Sequence, residues 1–128
     1  MAAVPQPFAF TGALQLAADQ SLPQDPIPFN FSSAFVALSQ EKFNLSGAGT
    51  QAMSFGSIAS PGAKGVFIRY DAQAGAAALQ VTFNGGITPL EITPGGMLIW
   101  LNPSPAAGAT AMSIVYTASC QVQVWVLG

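Results

Sequence analysis

Few side chains in this sequence are equipped for covalent chemistry. The chain holds three Lys or Arg, five Asp or Glu, one Cys and no His in 128 residues. A nucleophile–His–acid relay is excluded in its common form, because the base is absent. With one Cys and acids far apart in sequence, no metal site is expected. Glycoside hydrolysis would need two of five scattered acids to meet at a set separation, and no spacing signals such a pair. Ser60-Pro61-Gly62-Ala63-Lys64-Gly65 lacks the spacing and the Lys-Ser/Thr ending of a phosphate loop, and Gly47-Ala48-Gly49 lacks the third glycine of a dinucleotide fingerprint. These observations point away from an enzyme and imply no cofactor.

Arg69-Tyr70-Asp71 is the one charged cluster of interest. It reads either as a surface ion pair at a strand end or as an inter-subunit anchor, with Arg69 meeting a carboxylate or carbonyl. Glu91 is the natural partner in that second case. Trp100 beside Asn102 and Trp125 beside Gln123 have the aromatic-plus-amide composition of sugar platforms. Both Trp residues also suit core packing or an intermolecular contact. Cys120 opens the last strand and reads as a small buried apolar residue, with an intermolecular disulfide or reactive thiol as the alternative.

The scarcity of charge is itself informative. Only 6% of residues are charged against 51% apolar, and the net charge is −2. A typical soluble domain carries roughly a quarter charged residues, which keep its surface dispersed. So little charge implies that much of the exterior is buried against other protein, either as a homo-oligomer or on a partner. Lys42, Lys64 and Arg69 are scattered, so nucleic acid is not an expected partner. No apolar run reaches the ~18 residues of a membrane helix, and Met1–Pro5 carries no positive segment of a secretory signal.

Turn residues divide the chain into short extended runs. Leu79–Phe83, Met97–Leu101, Ala111–Thr117 and Cys120–Leu127 read as strands, separated by Asn84-Gly85-Gly86, Thr93-Pro94-Gly95-Gly96 and Asn102-Pro103. Val122, Val124 and Val126 share one face of the last strand and form the expected core row. Gln121, Gln123, Trp125 and Leu127 share the other, a contact surface or second buried layer. Residues 33–40 fit a short helix or a strand. The sequence predicts an all-β, antiparallel, jelly-roll-like sandwich of about eight short strands. It covers 32–128 and is preceded by an extended, Pro-rich arm or edge segment at 1–31. Phe8, Phe10, Phe29 and Phe31 anchor that arm on its own domain or on a neighbour.

The stretch from Lys64-Gly65-Val66-Phe67-Ile68-Arg69-Tyr70, through Asn84-Gly85-Gly86 and Pro94-Gly95-Gly96, to Val124-Trp125-Val126-Leu127-Gly128 resembles small virion proteins of tailed bacteriophages. The resemblance covers roughly half the chain and is one of style, with apolar strands, Gly/Pro turns and few charges. It implies a capsid decoration (cement) protein on the capsid exterior, assembled in the host cytoplasm. Such a protein clamps the major capsid protein and self-associates, with no catalytic residue to carry over. Phe8, Phe10, Phe29, Phe31, Arg69, Trp100 and Trp125 are the candidate interface residues. The alternatives are a phage tail or fibre component and a carbohydrate-binding module.

Overall fold

The structure is a computed structural model and describes residues 5–14, 27–59, 62–71, 77–86, 88–102 and 109–128. Among the described residues there are ten strands and a short 3-10 turn at Gly56–Ala59. The strands are β1 (Gln6–Leu14), β2 (Ile27–Phe35), β3 (Leu38–Leu45), β4 (Gly49–Ser54), β5 (Gly65–Asp71), β6 (Leu79–Phe83), β7 (Leu90–Ile92), β8 (Met97–Leu101), β9 (Ala111–Tyr116) and β10 (Cys120–Leu127). Every pairing is antiparallel.

Eight of these strands form two four-stranded sheets, ordered β3-β10-β5-β8 and β4-β9-β6-β7. Within them β3 lies beside β10, β4 beside β9, β5 beside β8 and β6 beside β7. The first strand of the sandwich thus meets the last, the second meets the next-to-last, and so inward. This nesting is one long antiparallel ribbon folded over itself, the two-Greek-key arrangement of a jelly roll. The expected sandwich is therefore present, with ten strands in place of eight because the N-terminal region adds two of its own.

Side-chain alternation decides what lies between the sheets. Val122, Val124 and Val126 of β10 face Val66, Ile68 and Tyr70 of β5 in register, and all six are fully buried. Leu79 and Val81 of β6, Ile114 and Met112 of β9, and Met53 of β4 close the layer from the opposite sheet. Each Val or Ile so buried contributes about 1.5–3 kcal/mol relative to exposure. Cys120 is a free thiol within this layer. Among the described residues no buried side-chain N or O atom lacks a partner.

Turns place the strands in their sheets. At Thr93-Pro94-Gly95-Gly96 the Gly96 N–H donates to the Thr93 carbonyl at 2.9 Å, and Gly95 has φ of 82°. That is a type II turn, with Pro at the second position and a left-handed Gly at the third. The turn carries the chain from β7 to β8 in the facing sheet, and its Gly95 N–H donates to the Tyr70 carbonyl.

The N-terminal region, expected as an extended arm or edge segment at 1–31, is a two-stranded hairpin whose second strand runs to Phe35. Residues 33–40 hold the end of β2 and the start of β3, with no helix. Five prolines argued against a ladder here, but in a two-stranded ribbon both strands are edges, where Pro is tolerated. Pro7 pairs with Ala34 and Pro28 with Ala13, in the same alternating set of pairs, so the ladder bonds can run through the other set. Asp19 and Asp25 lie outside the described residues, as does most of the loop at 102–105.

Candidate interaction surface

Register fixes which side chains share the outer face of the β3-β10-β5-β8 sheet. The top row is Leu38, Leu127, Gly65 and Leu101. Below it come Gln40, Trp125, Phe67 and Ile99, and below that Lys42, Gln123, Arg69 and Met97. The last row is Asn44, Gln121 and Asp71. The upper half is apolar apart from Gln40, and the lower half is polar apart from Met97.

The hairpin lies on the upper half. Phe8, Phe10, Phe29, Phe31 and Phe35 fall on one face of the β1–β2 ribbon, because each sits at the same parity of the ladder. Phe67 receives that face. Its ring centroid is 5.8 Å from that of Phe8, edge-on at 76°, and 6.3 Å from that of Phe10. Phe8 also meets Phe31 and Phe35 edge-on, a favoured aromatic geometry. Leu127 points outward yet is only 6% exposed, and Gly65 is buried, so this part of the outer face is a second packed layer. A Cβ on Gly65 would meet Leu101, Leu127 and Phe67 at 3.4 Å each, which shows how closely the three close over it. Main-chain bonds tie down the hairpin's base. The Val36 and Ala37 N–H groups donate to the Gly128 carbonyl, and the Lys64 ammonium donates to the Ala34 carbonyl.

Coverage stops partway along the ribbon. Phe29 stacks on Phe10 at 5.1 Å and 18°, yet remains 39% exposed. Gly12 lies directly opposite, and a Cβ there would sit 2.9 Å from the tip of the Phe29 ring, which would have to move aside. On the sheet itself Leu38, Met97 and Ile99 stay exposed.

The remaining candidates separate. Trp125 is on the outer face and half-buried. Trp100 turns inward opposite Val66, packs against the core and stacks on Phe83 at 5.8 Å. It is therefore not on the outer face that carries Trp125 and Phe67. Arg69 is exposed and pairs with Asp71, Nε to Oδ1 at 3.3 Å. Within one chain Glu91 lies apart from it, on the outer face of the other sheet, so the two would meet only between subunits, as the anchor expectation has it. The exposed pair with Asp71 is worth about 0–1 kcal/mol.

The thiol of Cys120 and the hydroxyl of Tyr70 offer no nucleophile to solvent. Burial pushes both pKa values up, and for Tyr70 the nearby Cys120 adds to the rise. The Tyr70 hydroxyl donates to the Ala77 carbonyl at 2.6 Å. Among the described residues no group of acids, His or Cys is placed to hold a metal ion, and no pocket is formed.

Phe35, Phe67, Met97 and Ile99 belong to this surface and were not singled out by their sequence context. A partial signal was present: Gly65–Ile68 and Met97–Leu101 are apolar on both faces, which a half-solvated strand would not be. No family model, curated protein or solved structure matches this chain.

Proposed function

We propose that this chain is a structural, non-enzymatic virion subunit, a capsid decoration protein that self-associates and binds the shell's major protein through apolar contacts. The observation that carries this reading is the incomplete burial of the hairpin's aromatic face. Phe8 and Phe10 seat on the protein's own sheet, while Phe29 extends the same face into solvent. The exposed part of the Phe29 ring contributes nothing further to a free monomer, whereas covering it with a partner surface gains about 25 cal/mol per Å² of apolar area buried. The near absence of charge agrees with a surface meant to be covered, and the jelly-roll topology is one that capsid proteins use. The fold alone would not carry the reading, because unrelated functions share it.

Binding through such a surface depends little on salt, since few charges are screened or released. The test is attachment. Shells lacking the chain are incubated with the purified full-length protein, and bound copies are counted after sedimentation. Stoichiometric uptake, little changed between low and high salt and at least tenfold weaker for Phe29→Ser, is expected. No uptake by shells, with the purified protein monomeric at high concentration, would reject the reading. Labelling on a tail or fibre would move the protein to that part of the particle.

A further inference from the structure

The β8 strand forms one lateral edge of the sandwich, and among the described residues no strand lies beyond it. Its hydrogen-bond phase is fixed at both ends. Asn102 N–H donates to the Lys64 carbonyl just past the strand's C-terminal end, and Tyr70 N–H donates to the Gly96 carbonyl just before its N-terminal end. Both are pairs of the same register, so the even-numbered residues Leu98 and Trp100 turn their main-chain groups toward β5. Met97, Ile99 and Leu101 therefore turn their N–H and C=O groups outward, along the open edge. Their side chains lie on the outer face, where Met97 is 59% and Ile99 40% exposed.

Edge strands of monomers are normally blunted by charge, brevity or proline. The β3 edge carries Glu41 and Lys42, and β7 is three residues long with Glu91 at its centre. The β4 edge presents the small, water-compatible Thr50, Ala52 and Ser54 on its outer face. The hairpin's two edges each carry a proline, Pro7 or Pro28, in the set of pairs that turns outward. Among the described edges only β8 joins an uninterrupted open ladder to exposed apolar side chains, with no charge in its five residues.

We propose that two copies of this chain join edge to edge through antiparallel β8 strands, with Ile99 on the two-fold axis. In that register Ile99 faces its own counterpart and Met97 faces the partner's Leu101, all on one face. The three outward-turned residues of each copy then exchange about six main-chain hydrogen bonds. Charge argues for a second copy over a foreign strand. An acidic or basic segment finds no charge on β8 itself; beside it, Arg69 is paired with Asp71 and the Lys64 ammonium is turned to the Ala34 carbonyl. An uncharged, apolar strand is the fitting partner, and β8 is itself such a strand. The joint makes one continuous eight-stranded sheet from two four-stranded ones, an isologous interface that closes without leading to filaments.

This inference rests on the proposed self-association and specifies its joint. Sedimentation equilibrium on the full-length chain tests it. The wild type is expected to dimerise, and Ile99→Lys, which sets two ammonium groups against each other at the axis, to weaken the dimer by on the order of a hundredfold. Its far-UV circular dichroism should match the wild type. An equimolar mixture of Ile99→Lys and Ile99→Glu chains should recover a one-to-one dimer, and Ala52→Lys on the β4 edge should dimerise normally. If Ile99→Lys fails to fold, Met97→Lys, at the more exposed position, is read in its place. A wild type that stays monomeric overturns both the joint and the self-association. A wild type that associates while Ile99→Lys, or Met97→Lys in its place, associates equally well overturns the joint alone.

Discussion

The two faces of the β3-β10-β5-β8 sheet are packed on different terms. The inner face is aliphatic and closed: Val66, Ile68, Val122, Val124 and Val126 are all at 0% exposure. The outer face is aromatic and half-open, with Phe67 beneath Phe8 and Phe10 and the covering ribbon two strands wide. An isolated two-stranded hairpin is marginal in water, so this one depends on the face it sits upon. The sandwich has no such dependence, because its core is complete between its own two sheets. Stability resides in the inner layer and available contact area in the outer one, and substitutions in the two should behave differently.

The largest effect is expected inside. Ile68→Ala removes atoms from the fully closed layer and should destabilise the whole domain by about 2–5 kcal/mol, read as a lower denaturation midpoint with an unchanged slope. Phe67→Ala, one residue away on the other face, should cost about 1–3 kcal/mol, because the ring is only half-buried. Its signature is local. Hydrogen exchange should accelerate across residues 6–14 and 27–35 while β9 and β10 stay protected. Uniform loss of protection across all strands would mean that the two layers unfold as one, and the contrast drawn here would fail.

Alkaline pH probes the inner layer chemically. Tyr70 and Cys120 have pKa values raised by burial above their ordinary 10.0 and 9.0. For acids held neutral in the fold, the unfolded chain loses its protons first as pH rises. Their stabilising contribution is therefore whole below about pH 9 and declines as pH climbs through and beyond those values. With no His in the chain, no side chain ordinarily titrates between about pH 5 and 8. Thermal midpoints should be nearly level across that range and fall above pH 9. Tyr70→Phe should shrink the alkaline fall. It should also cost about 1–2 kcal/mol at neutral pH, by stranding the Ala77 carbonyl.

The same division explains what the sequence made legible. The Val row of β10 alternates strictly with Gln121 and Gln123, so period alone assigned it to the core. Pro94-Gly95 and Asn84-Gly85 announced their turns, and both carry the positive φ that their residues favour. Trp100 and Trp125 could not be separated in this way. Met97–Leu101 is apolar on both faces, so its period carries no inside or outside, and only pairing with β5 turns Trp100 inward. Sheet assignment was hidden for a related reason. The strands of Arg69 and Glu91 were both legible, but non-local pairing sends β5 and β7 to different sheets. The hairpin was obscured by its prolines, which count against a central strand but not against a ribbon with two edges.

Arg69→Ala should have the smallest effect of these substitutions. The guanidinium is exposed and its partner Asp71 is nearby on the same strand, so the pair fixes no tertiary contact. Loss of such a pair costs about 0–1 kcal/mol and less as salt rises. The substitution nevertheless sharpens the contrast between regions, because Arg69 borders the apolar upper half of the outer face without belonging to it. If shell attachment depends on the aromatic surface, Arg69→Ala should bind as the wild type does while Phe29→Ser does not, at nearly equal folding stability. A large attachment defect for Arg69→Ala would shift the contact downward onto the polar half of the sheet and make charge, not buried area, the basis of binding.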